Sequence, residues 1–146
     1  MILQTDDRLK EERPPIGPYG CAFMSMCFLA NKHLGYKMGI VEIVEIYDDL
    51  VERRVMSSDC FINDWQSMAK FFGFAPAVGK TVHQSALYIC EDKEIEILLF
   101  SLPRGTGKVW KHFVAGNGSG VVTFDPWGVS LTATTGELED KRIFSL

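Results

Sequence analysis

Apolar residues recur along this chain with two different periods, and the change falls past its middle. Residues 21–30 read Cys-Ala-Phe-Met-Ser-Met-Cys-Phe-Leu-Ala, apolar almost all round and free of proline. That predicts a helix buried on most sides, ended by Gly35. From about Ile40 to Arg53 the apolar positions Ile40, Ile43, Val44, Tyr47, Leu50 and Val51 follow the 3.6-residue period of a second helix. A third is expected after Ser58-Asp59, covering Trp65, Met68, Ala69 and Phe72 and stopping at Gly73. Ahead of them, residues 5–18 are polar and end in Pro14-Pro15-Ile16-Gly17-Pro18, which reads as an extended surface loop rather than a helix.

The second half has a different rhythm. Glu94–Leu102 (EIEILLFSL) alternates and then becomes continuously apolar, as a central strand does. Residues 110–116, 121–125, 128–133 and 142–145 also read as strands, whereas 78–90 fit neither period. Helices followed by strands predict an α+β fold, one domain over residues 1–146 with N-terminal helices packed on an antiparallel sheet.

Composition narrows the function. Hydrophobic residues make up 47% and charged residues 23% of the chain, a globular balance that excludes disorder as the main state. A net charge of −4, with no basic cluster beyond the pair Arg53-Arg54, excludes a dedicated nucleic-acid binder. No apolar run reaches the roughly 18 residues of a spanning helix, and no basic-then-apolar leader opens the chain, so no membrane association and a cytoplasmic address are expected. The four cysteines, Cys21, Cys27, Cys60 and Cys90, form no CxxC and no zinc-like spacing with histidine, so no metal and no cofactor are expected and the thiols should be free.

One thiol stands apart. Cys21 follows Gly20 and opens the first helix, where unpaired N–H groups and the helix dipole place partial positive charge that favours a thiolate. Gly20 lets the chain turn sharply there and leaves room beside the sulfur. Cys27 lies deep in the same helix, and Cys90 neighbours Glu91 and Asp92, whose charges disfavour a thiolate. Cys60, after Asp59 and near an expected helix start, is the rival.

The segment 111–125 places two more side chains. Its β-prone runs flank Asn117-Gly118-Ser119-Gly120, a hairpin signal. With Gly118-Ser119 at the tip, Phe113 faces Phe124, Ala115 faces Val122, and His112 sits directly opposite Asp125. With Asn117-Gly118 at the tip, Asp125 becomes a diagonal neighbour of His112 on the same face. Opposed β-carbons lie about 4.5–5.5 Å apart, close enough for a carboxylate to hold an imidazole N–H. Cross-strand polar pairs are common, so the pair alone does not fix a function. Gly105-Thr106-Gly107-Lys108 resembles part of a phosphate loop but is followed by Val109 rather than Ser or Thr, and reads as a flexible connection.

Together, Gly20-Cys21-Ala22-Phe23-Met24-Ser25-Met26, the distant Lys111-His112-Phe113-Val114-Ala115-Gly116 and Phe124-Asp125-Pro126-Trp127-Gly128 resemble the papain-like cysteine peptidases of the C39-like group, which includes bacteriocin leader-processing proteases. The resemblance covers residues 4–128. It implies a papain-like fold with Cys21 as nucleophile, His112 as its base and Asp125 orienting the ring. It also implies an upstream Gln that joins the Cys21 N–H in an oxyanion hole. The position six residues before Cys21, where that Gln stands in the group, is Pro15; the upstream Gln here is Gln4. The implied activity is hydrolysis of a peptide or amide bond, on a peptide or peptidoglycan-like substrate, through an acyl-enzyme. Acyl transfer to an amine uses the same residues. A binding module that keeps the fold without turnover is the alternative, favoured by the displaced Gln.

Overall fold

Two short helices occupy the segment whose prolines predict an extended loop. The computed structural model describes residues 1–77 and 79–146, so Val78, the first residue of the unassigned stretch 78–90, lies outside the described residues. Helix α1 (Asp7–Glu12) is capped by Asp6, whose carboxylate accepts from the Arg8 N–H at 2.9 Å, and it buries Leu9. Helix α2 (Ile16–Tyr19) is a single turn with Pro15 as its cap and Pro18 inside it. The first N–H groups of a helix have no intrahelical acceptor, so proline forfeits nothing there. Burial of Leu9 and Ile16 then holds both turns onto the body of the protein.

Helix α3 (Cys21–Leu34) buries Phe23, Met24, Met26 and Cys27 and ends at Gly35, whose φ of +75° is the left-handed cap that glycine adopts most readily. Helix α4 (Ile40–Glu52) presents Ile43, Tyr47 and Leu50 to the core. Helix α5 (Trp65–Phe72) starts later than Ser58-Asp59 suggests: Asp64 caps it, accepting from the N–H groups of Gln66 and Ser67, and residues 56–62 form a loop closed by a bridge between Met56 and Ile62.

Six strands follow: β1 (Ala75–Pro76), β2 (His83–Ser85), β3 (Glu94–Pro103), β4 (Val109–Gly116), β5 (Val122–Phe124) and β6 (Glu137–Ser145). Every pairing is antiparallel, in the order β1-β6-β3-β4-β5, with β2 also on β6. The fold is therefore α+β with helices on an open antiparallel sheet. Ile95, Ile97, Ala115 and Phe144 join the helices in the main core, while Leu98, Phe100 and Val114 form a smaller cluster on the other face.

Two strand expectations are corrected. Residues 128–133 are not a strand: Ser130 caps helix α6 (Leu131–Thr135) by accepting from the Ala133 N–H at 3.2 Å. The apparent alternation came from Val129 and Leu131, which are exposed. The last strand begins at Glu137 rather than 142, because the sheet buries Lys141, a charge that a sequence pattern places outside. Among the described residues no helix is long and apolar enough to cross a membrane.

Gly20 works differently from its sequence reading. Its φ of −83° and ψ of 11° suit any residue, so the turn does not require glycine. A Cβ there would lie 2.4 Å from the Ile16 carbonyl oxygen and 2.8 Å from Ile16 Cγ2. The glycine lets α2 end tightly against the start of α3. Gly20→Ala is expected to cost about 1–3 kcal/mol by overpacking, read as a lower thermal midpoint; a variant as stable as the parent contradicts this account.

Candidate active site

The hairpin uses neither of the two tips that its sequence offers. Ala115 pairs with Phe124 and Gly116 with Val122, with a bulge between, and the Asn117 N–H closes a longer turn on the Val121 carbonyl at 2.9 Å. The pairs Phe113–Phe124, Ala115–Val122 and His112–Asp125 are thus corrected. The turn has reasons of its own. Asn117 Oδ1 accepts from the Ser119 and Val121 N–H groups, and Gly118 and Gly120 take positive φ. Glu96, buried on β3, accepts from the Gly118 and Gly120 N–H groups at 2.9 and 2.8 Å.

Although Asp125 no longer stands across from His112, the two side chains meet: His112 Nε2 lies 2.7 Å from Asp125 Oδ1. Beyond Phe124 the chain curls so that the carboxylate is held on every side. Oδ1 also accepts from the Trp127 N–H at 2.9 Å, and Oδ2 accepts from the Ser130 N–H at 3.0 Å and hydroxyl at 2.6 Å. Ser130 thus caps α6 and anchors Asp125 at once, a role hidden while 128–133 read as a strand.

Cys21 is the first residue of α3 and half-buried. Pairing of β4 with β5 has stopped at Ala115, which leaves the Phe113 N–H free to donate to Cys21 Sγ at 3.5 Å. The thiol also lies near enough to the His112 ring to favour its charged form. Since Nε2 serves Asp125, Nδ1 is the nitrogen left for the sulfur.

Electrostatics follows from these contacts. Burial opposes a charged His112, but its bond to Asp125 and the nearby Cys21, and negative charge on both, outweigh that and raise it to about 9. Asp125 is held well below the usual carboxylate range: burial pushes it up, and the bonds from His112, Ser130 and the Trp127 N–H pull it down further. The other thiols are pushed up, Cys60 to about 12 by burial and then by Cys21, Cys90 to about 12 by burial and then by Glu96, and Cys27 by burial. Cys60 is not at a helix start but in a turn, with φ +66°.

A pH dependence follows. His112, raised in the fold, stabilises it fully below its unfolded value of about 6.5, and that contribution is lost as pH climbs through about 9. Asp125, lowered in the fold, contributes above its unfolded value of about 4 and loses this as pH falls. Asp125→Asn is expected to bring the His112 NMR titration midpoint down from about 9 to 6.5 or lower. The stability gap to wild type should be widest between about pH 4 and 6.5 and narrow toward 9. A His112 midpoint unmoved by the substitution contradicts the assignment.

Gln4 is buried and ties two parts of the site together. Its N–H donates to the Pro126 carbonyl at 2.9 Å, and its Nε2 donates to the Gly17 carbonyl at 2.8 Å, while Oε1 is buried without a partner. It therefore bridges the turn after Asp125 and the segment before Cys21. One Nε2 hydrogen is spent on Gly17 and one is not.

Outside Cys21 opens a cleft of about 540 Å³ lined by Tyr19, Cys60, Phe61, Trp65, Phe113 and Arg142 among others. A thiol on an open cleft, beside an imidazole that is itself bonded to a fixed carboxylate, is an arrangement suited to nucleophilic attack with proton transfer. The chain belongs to the DUF261 family. The match spans residues 1–146, and the family is described as protein of unknown function. No curated protein and no solved structure is matched by the chain.

Proposed function

We propose that the chain is a cysteine hydrolase, a peptidase or amidase of papain-like, C39-like kind, acting through an acyl-enzyme. The observation that carries this reading is the His112–Asp125 bond set beside Cys21, the thiol that opens onto the cleft. His112, whose charged form Asp125 supports, takes the thiol proton. The sulfur attacks a carbonyl carbon, and the C=O electron pair moves to oxygen. The Cys21 N–H, at the start of α3 and without an acceptor among the described residues, faces developing negative charge. The uncommitted Nε2 hydrogen of Gln4 is the candidate second donor. His112 then protonates the departing amine as the C–N bond breaks, and water or an amine resolves the thioester. Four free thiols fit work in a reducing compartment.

Iodoacetamide at neutral pH is expected to label Cys21 first, with Cys27, Cys60 and Cys90 reacting only after denaturation, read by peptide mass mapping. An activated ester such as p-nitrophenyl acetate should give a burst and an acetylated Cys21. Equal labelling of Cys21 and Cys60 in the folded protein refutes the nucleophile. Selective labelling with no acyl-enzyme favours the second reading, a binding module without turnover, for which the engagement of Gln4 by Gly17 speaks.

A further inference from the structure

Arg142 lines the same cleft as Cys21, from β6, two strands away from β4. Its side chain is only 9% exposed. The guanidinium carbon lies 5.5 Å from the Trp65 ring centre and 5.4 Å from that of Phe113, so two aromatic walls hold it. Its bonding is lopsided. Nη1 donates to Asp140 Oδ1 at 2.5 Å and to the Lys141 carbonyl at 3.3 Å. Nε is buried with no acceptor, and Nη2 makes no hydrogen bond among the described residues.

The uncommitted edge, Nε with Nη2, is the one that matches the two oxygens of a carboxylate. A buried guanidinium N–H without an acceptor is a costly arrangement that a ligand oxygen would relieve. The surrounding charges leave this the main cationic feature of the cleft. Lys111 also lines it but is paired with Glu139 at 3.2 Å. His83, across the ladder from Arg142, is pushed toward neutrality by burial and then by Arg142 itself. Asp59 supplies the opposing negative charge on the lining.

We propose that Arg142 anchors a carboxylate of the substrate, so that the enzyme acts on acyl compounds bearing an acidic group seated against Arg142, beside the packed Trp65–Phe113 pair. The inference rests on the reading of Cys21 as nucleophile. An acidic side chain and a free α-carboxylate offer the same chemistry, and the test separates them.

Three reagents of nearly identical shape suffice: N-iodoacetyl-glutamine amide, which is neutral, N-iodoacetyl-glutamine, with a free α-carboxylate, and N-iodoacetyl-isoglutamine, with a free side-chain carboxylate. Alkylation of Cys21 in the folded protein is measured by mass spectrometry and divided by the rate of each reagent with the denatured chain. At least one acidic reagent should exceed the neutral one by about tenfold or more, as a charge-assisted bidentate contact implies, and the preferred one identifies the carboxylate. Arg142→Met should bring that ratio to near one, and Arg142→Lys, which keeps the charge but not the fork, should retain part of it. Absence of preference in the wild-type protein, a measurement that needs no variant, overturns the proposal, as does a ratio that survives Arg142→Met. If no reagent labels folded Cys21 faster than the denatured chain, the hydrolase reading itself falls and this inference with it.

Discussion

His112→Ala is expected to slow turnover by about 10²–10⁴-fold while slowing alkylation of Cys21 only about tenfold at pH 7. The two numbers differ because they count different jobs. An ordinary thiol, with a pKa near 8.5, is about 3% ionised at neutral pH, so complete ionisation gains about thirtyfold at most. A less basic thiolate is also a weaker nucleophile, which trims that gain to about tenfold. The proposed turnover needs His112 twice, first to take the thiol proton and then to deliver it to the departing amine. Cys60, which lines the same cleft, is pushed up to about 12 and does not replace it. The gap between the two effects therefore measures the acid step alone. Equal slowing of both reactions would mean that His112 only ionises the thiol, and no slowing of either would remove it from the site.

What could be read in advance divides along a physical line. Helices α3, α4 and α5 and strand β3 are long and their apolar positions dense, so burial of one face overrides local detail. The meeting of His112 with Asp125 was legible because both flank one turn, and the contact tolerates a shift of register. The register itself was not legible. It depends on Glu96, more than twenty residues away, reaching into the turn to hold Gly118 and Gly120. No local pattern announces a carboxylate that will be buried. Lys141 is a second such charge: it is buried within β6, where a sequence pattern ends the strand. The short helices α1, α2 and α6 went unseen because they are held by single buried side chains and by side-chain caps rather than by a periodic face. Ser130 shows the consequence for the site: a cap missed is also an anchor of Asp125 missed.

Lys141→Met is expected to destabilise the protein by about 3–5 kcal/mol, the usual result of stripping one partner from a buried ion pair. Lys141 and Glu96 are both fully buried on adjacent strands, with Nζ 3.0 Å from Oε2. Nζ also donates to the Tyr88 carbonyl at 2.6 Å, while Oε1 serves the hairpin turn. The substitution leaves a carboxylate charged, buried and unmatched. Glu96→Gln leaves the mirror problem, a lone ammonium, although its amide oxygen still accepts from the two glycines. The double variant, Glu96→Gln with Lys141→Met, removes both charges and keeps the acceptor. It should therefore cost less than the two single changes added together, by about 1–3 kcal/mol. Gly116 shows how closely turn and carboxylate fit, since a Cβ there would lie 2.5 Å from Glu96 Oε1. Because the turn joins the strand of His112 to the strand before Asp125, Lys141→Met should also loosen their bond. The His112 titration midpoint should then fall from about 9 toward 6.5 by NMR. Urea unfolding of the four proteins reads the first effect. Simple additivity there would mean that the pair contributes no coupling, and an unmoved midpoint would mean that the clamp does not reach His112 and Asp125.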